Sequence, residues 1–170
     1  MAVKPFLTDV KTLRERARKH IEQGAVTEGY RGDRETVIKL LNEALATEIV
    51  CVLRYRRHHF MAVGINAESV AAEFLIHANE EQGHADLIAA RIVQLGGAPN
   101  FSPEGLLTRS HAEYVEGDSL LDMINYVGND DSTTRRMLEG ILAMEEEHAD
   151  DLVSLLEGFS PRDLSQGAVS

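Results

Sequence analysis

Apolar residues recur along this chain at alternating steps of three and four in three long stretches. From about Arg34 to Val63 the stripe reads Val37, Leu41, Ala44, Glu48, Cys51, Tyr55 and Ala62. From about Ala67 to Leu95 it reads Val70, Phe74, His77, Glu81, His84, Ile88 and Leu95. From about Asp131 to Phe159 it reads Leu138, Ile141, Glu145, His148, Leu152, Leu155 and Phe159. This spacing puts one side of each helix against a partner, so it predicts three long helices in a bundle. A shorter stripe of Val10, Leu13, Ala17 and Ile21 predicts a helix from about Asp9 to Gln23, with Thr8 as its N-cap and Gly24 as its stop. Being narrow, it suits docking on a surface or on a neighbouring subunit. Gly24 to Asp33 is a linker, and Asp118 to Val127 gives only a stub of about 15 Å, half a bundle length.

The stripes are broken by residues that do not belong in a core. Glu81-Gln82-Gly83-His84 and Glu145-Glu146-Glu147-His148 repeat one Glu-x-x-His pattern in two helices, and Glu48 interrupts a third. Residues three apart on a helix share a face, so each pattern aims a carboxylate and an imidazole at one spot. A buried carboxylate without compensation costs several kcal/mol, so these groups have to be paired, protonated or bound to metal. Oxygen and imidazole ligands presented twice suit a pair of iron or manganese ions. Alone, Glu145 with His148 would read as a surface pair; three seams with charges at matching depth would not. Glu80, Glu146, Glu147, Asp150 and Asp151 read as a solvated acidic face. Gly64 precedes Glu81 by 17 residues and Gly128 precedes Glu145 by the same 17, which predicts two helix hairpins with the metals between them. The repeat gives no partner for Glu48, because the matching position is Ala112.

The 170 residues fit one domain with a full core, and 44% apolar content with four prolines and no tryptophan favours helices. A net charge of −11 draws cations and argues against general nucleic-acid affinity. Lys11, Arg14, Arg16, Arg18 and Lys19 form a basic face on the first helix, but glutamates intersperse them without an aromatic, as on a solvated face or subunit contact. One cysteine, Cys51, excludes an internal disulfide and a Cys-rich metal site. No apolar run approaches 18 residues and no signal peptide is visible, so the expectation is a cytoplasmic chain without membrane contact.

From about Leu41 to Leu155 the chain resembles the ferritin superfamily, and its bacterioferritin branch in particular. The resemblance rests on Leu41-Asn-Glu-Ala-Leu-Ala-Thr-Glu48, Tyr55, His77-Ala-Asn-Glu-Glu81-Gln-Gly-His84-Ala-Asp, Leu95-Gly-Gly-Ala-Pro-Asn and Met144-Glu145-Glu-Glu-His148. It implies an all-α, antiparallel four-helix bundle with a long crossover, here with a truncated third helix and an added N-terminal amphipathic helix. The expected divisions are 1–33 for that helix and its linker, 34–160 for the bundle and 161–170 for a tail. By resemblance Glu48 is a terminal ligand, Glu81 and Glu145 bridge two irons, and His84 and His148 complete the ends. Tyr55 and His77 stand behind the ligands, with His77 either an accessory iron contact or a hydrogen-bonded core histidine. Gln82 occupies the position where bacterioferritin holds haem with a methionine, so haem is not supported. The family's third helix also supplies a glutamate. Here either that helix begins early and brings Glu113 or Glu116 near the site, with Asp122 a weaker choice, or several turns are missing.

The resemblance implies a ferroxidase and iron-storage protein with Glu48, Glu81 and Glu145 as its catalytic carboxylates. Two iron ions bind, manganese or zinc can substitute, and oxygen or hydrogen peroxide takes the electrons. A dimer building a homo-oligomeric cage is expected, with Val50, Val52 and Leu53 of the first long helix as its dimer face. Two alternatives stand beside it: a di-iron oxidase or hydroxylase acting on an organic substrate, and a shell subunit with an incomplete metal site.

Overall fold

A computed structural model describes residues 9–24, 26, 30–64, 67–110 and 116–157, with all side chains among these except those of 19–23, 116–119, 156 and 157. Among the described residues every element is a helix: α1 (Val10–Gln23), α2 (Arg34–Met61), α3 (Ala67–Gln94), α4 (Leu106–Arg109), α5 (Glu116–Val127) and α6 (Ser132–Glu157). Asp33 starts α2 by accepting the Thr36 amide and hydroxyl, the N-cap role its short carboxylate favours. The boundaries expected from the stripes hold within two residues; Phe159 lies outside the described residues. The first helix begins later than expected, at Val10. Its cap is Asp9, which accepts from the Lys11 and Thr12 amides at 2.9 and 3.1 Å; Thr8, the expected cap, lies outside the described residues.

Two hairpins, α2–α3 and α5–α6, pack face to face, α3 on α6 and α2 on α5. Gly64 and Gly128 turn them with φ of +114° and +47°, conformations that favour glycine. Ile65 and Asn66, also expected in the first turn, lie outside the described residues. The crossover leaves α3 over α2, where Asn42 donates to the Ala98 carbonyl and accepts from the Asn100 amide. Its short helix α4 packs on α2. At 12 residues α5 spans about 18 Å, against about 42 Å for the 28 residues of α2. The stub expected from the sequence is therefore only two residues longer in the structure. Its apolar seam, Leu120, Met123 and Val127, completes a core with Val37, Leu41, Leu45, Ile88, Ile92, Leu138 and Ile141.

One buried network was not anticipated. Arg91 of α3 meets Asp131 at 2.8 Å and donates to the Thr134 hydroxyl at 2.8 Å. Asp131 in turn caps α6 through the Thr134 amide and accepts from the Tyr30 hydroxyl. The end of α3, the start of α6 and the segment before α2 are thus tied at one point, which sets the register between the two Glu-x-x-His helices. The expected dimer face needs correction. Val50 and Val52 are buried within the chain, Val50 sharing a pocket with Leu106 and Leu107 of the crossover, and of the three only Leu53 is exposed. By contrast no helix packs on α1 among the described residues, and its Val10 and Leu13 face solvent.

Candidate metal centre

Packing of α2, α3 and α6 brings the interrupting residues together. Glu48 from α2, Glu81 and His84 from α3, and Glu145 from α6 each place one donor atom within 4.8 Å of all the others. His84 Nδ1 lies 3.3 Å from Glu81 Oε2, 3.3 Å from Glu145 Oε1 and 3.6 Å from Glu48 Oε2. His148 Nδ1 joins them at 3.5 Å from Glu81 Oε1 and 3.8 Å from Glu145 Oε2. Two donors bound at about 2.1 Å to one tetrahedral ion stand about 3.4 Å apart, so these separations are those of ligands sharing a cation. Glu81 Oε1, Glu145 Oε1 and His148 Nδ1 are buried with no hydrogen-bond partner. Buried polar atoms are nearly always satisfied, so their convergence fits a metal-binding donor set. All five expected positions meet in one volume.

Electrostatics in the metal-free protein explain how such a cluster is tolerated. Burial disfavours the His84 cation, but the carboxylates of Glu145, Glu48 and Glu81 around it override that and raise its pKa to about 11. His148 behaves alike: burial opposes the charge, and Glu145, Glu81 and Glu80 raise the pKa to about 10. Burial pushes the Glu48 carboxyl well up, helped by its hydrogen bond to Glu81. Burial also works against the Glu81 anion, yet His148 and His84 hold it well below the usual carboxylate range. Protons on the two histidines thus offset carboxylate charge in the metal-free protein. A divalent cation would have to displace those protons to bind.

The acidic face contains two residues that do more than meet water. Glu80 accepts from His148 Nε2 at 2.9 Å, which turns Nδ1 into the cluster as a carboxylate behind a metal-bound histidine does. Asp151 reaches His77 Nε2 at 3.5 Å. Both were read as solvated acids, because their stripe positions give no inward direction; the residue that each one faces lies on the other of the two helices α3 and α6. His77 is fully buried and stacks on His148 with ring centroids 4.2 Å apart, and Tyr55 presents an edge to both rings.

On the α5 side the cluster meets hydrocarbon. Leu120 and Met123 line a small cavity with Ala44, Thr47, Glu48, Cys51 and Glu145. Asp122, one of the candidates for a third-helix ligand, is exposed and faces away. Ala112 and Glu113 lie outside the described residues, as does the side chain of Glu116. A cavity of about 360 Å³ opens onto Glu145 and His148, walled by Cys51, Arg54, Tyr55, His58, Phe74 and Leu152.

The sequence profile of the Ferritin-like domain matches residues 38–160. Bacterioferritin BfrA of Mycobacterium tuberculosis is 32% identical over 133 residues, covering 71% of this chain and 84% of that protein. The bacterioferritin of Mycobacterium avium is 31% identical over 138 residues, covering 74% and 86%. Among solved structures, the bacterioferritin-related dodecameric thioferritin of Bacteroides fragilis superposes with a TM-score of 0.70 at 27% identity, over 82% of this chain and 94% of that one. A Dps protein from Bacillus brevis shares the fold, with a TM-score of 0.67 at 23% identity over 72% and 96%. Bundle, crossover and profile match agree over most of the length: the chain belongs to the ferritin-like family.

Proposed function

We propose that this protein is a ferroxidase subunit of an iron store, with Fe(II) as its substrate. The observation that carries the proposal is the meeting of Glu48, Glu81, His84, Glu145 and His148 in one buried volume with unpaired donor atoms. Glu81 and Glu145 lie centrally and would be shared between two irons, with His84, His148 and Glu48 at the ends. Two Fe(II) give up two electrons, which with two protons reduce dioxygen to hydrogen peroxide, or reduce peroxide to water. Carboxylates favour the harder Fe(III), and neutral imidazoles limit the negative charge so that iron can leave. Manganese or zinc would occupy the same donors without that turnover.

Storage requires an enclosure, so the reading includes a closed homo-oligomer of this chain; the related Bacteroides fragilis protein is a dodecamer. A second reading has one observation in its favour. The cavity of about 360 Å³ beside Glu145 and His148 falls within the size range of small-molecule sites, as an oxidase acting on an organic substrate needs.

Aerobic addition of Fe(II) separates the readings. Oxygen uptake with many irons retained per chain supports storage, uptake that stops at two irons supports the organic-substrate oxidase, and no uptake leaves an inert shell subunit. Glu81→Ala should abolish the fast phase of oxidation; unchanged kinetics would place the chemistry elsewhere.

A further inference from the structure

His77 is unusual among the buried groups. Its side chain is 1% exposed, and neither ring nitrogen has a hydrogen-bond partner. Nε2 instead stands 3.5 Å from Glu73 Oε1, one turn back on α3, and 3.5 Å from Asp151 Oδ2 on α6. Those separations are too long for good hydrogen bonds, which run to about 3.2 Å. They match the spacing of about 3.4 Å between two ligands of one tetrahedral cation. Donor atoms of all three residues lie within 4.8 Å of one another.

We propose that Glu73, His77 and Asp151 form a second, mononuclear site for a divalent first-row cation, separate from the five-residue centre. Two carboxylates and one imidazole suit Fe(II), Mn(II), Co(II) or Zn(II), with water completing the coordination. The two sites differ in character. Glu73 and Asp151 are 31% and 46% exposed, so a bound ion stays in contact with solvent and exchanges readily. The inner donors are almost wholly buried. The stack of His77 on His148 places the outer site directly beside the inner one. Its role rests on the ferroxidase reading: the outer site collects Fe(II) from solvent and passes it to the buried donors. Its existence does not depend on that reading.

The test counts ions by anaerobic Co(II) titration of the full chain, with crystals soaked in Mn(II) examined by anomalous scattering. The wild type should bind three ions per chain, two tight and one weaker. His77→Ala risks the core, so the decisive variant is Asp151→Asn combined with Glu73→Gln, both at partly exposed positions. It should keep the two tight ions and bind the third at least about tenfold more weakly, since even losing a group that only orients a ligand costs about 10–100-fold. Glu81→Ala should show the reverse, losing tight binding and keeping the weak ion. A wild type that binds only two ions, or a double variant with an undiminished third, overturns the outer site. A tight pair that survives Glu81→Ala overturns the inner centre instead, and leaves the outer count to be read independently.

Discussion

Arg91 offers the sharpest test of how the bundle is held in register. Replacing it with leucine keeps comparable apolar bulk but removes the donors to Asp131, Thr134 and Gln94. Breaking a buried ion pair from one side costs about 3–5 kcal/mol, because the remaining charge stays buried. Asp131 is not left bare, since the Thr134 amide and hydroxyl and the Tyr30 hydroxyl still point at it. The lower end, about 3 kcal/mol, is therefore expected. At about 2–4 °C per kcal/mol for a chain of this size, Tm should fall by roughly 10 °C. Asp131→Asn provides the control, because asparagine keeps the helix cap and loses only the charge; its cost should be about 1–2 kcal/mol. Both are measured by thermal unfolding of the metal-free protein at fixed concentration, since subunit association shifts Tm with concentration. A fall of less than about 2 °C for Arg91→Leu would refute the account and reduce the network to decoration.

Other consequences are simpler to state. Hydrogen bonds from Thr134 and the charge of Arg91 outweigh the burial of Asp131 and lower its pKa below 3.8. The unfolded chain thus binds this proton more readily, so Asp131 contributes its full stability above about pH 4 and loses it as pH falls through the lower folded-state value; in Asp131→Asn the slope of stability against pH in that acid window should be shallower. Glu80→Ala should weaken metal binding at the inner centre by about 10–100-fold, because His148 loses the carboxylate that orients it, and equal Zn(II) affinity in variant and wild type would remove Glu80 from the site. Glu145→Ala should unfold at no lower a temperature than the metal-free wild type, since it deletes a carboxylate from a crowded buried cluster, while losing fast iron oxidation. Light scattering at low micromolar concentration should give a closed oligomer; a stable 18.8 kDa species would rule out the cage.

What could be read from the chain alone was whatever follows from periodicity. The seam that carries Val37, Leu41 and Glu48 needs no knowledge of the partner helix, and the five donors were visible as charges standing at seam positions. Arg91 was missed although the same signal was present. The second stripe runs from Ile88 to Leu95 in one jump of seven, and Arg91 stands at the step between them. A cation there is the same kind of exception as Glu48. Glu80 and Asp151 had no such signal. Each sits beside the seam, and whether it faces water or a histidine depends on how α3 and α6 rotate against each other. Val50 and Val52 failed for a related reason: periodicity shows that a helix is apolar on a second side, but not whether a subunit or the chain itself covers it.

The core and the donor cluster occupy different ends of the bundle, and the length of α5 accounts for this. The main apolar cluster, from Val37 to Leu45, Ala85 to Leu95, Leu120 to Val127 and Leu138 to Ile141, lies on one side of the level of Glu48, Glu81 and Glu145. Beyond that level Val70, Phe74, Tyr55, Leu152 and Leu155 are only half-buried, and Phe60 and Val63 are exposed. A bundle with five ionisable groups at its waist gives up stability there, because each buried charge costs more than the apolar residue it replaces. Four helices meet on the core side and supply the compensation. On the other side, among the described residues, α5 does not continue, and the donors adjoin a cavity of about 360 Å³. The proposed exchange of ions with solvent would thereby fall at the loosely packed end, and the Arg91–Asp131 tie keeps the tightly packed end from sharing that looseness.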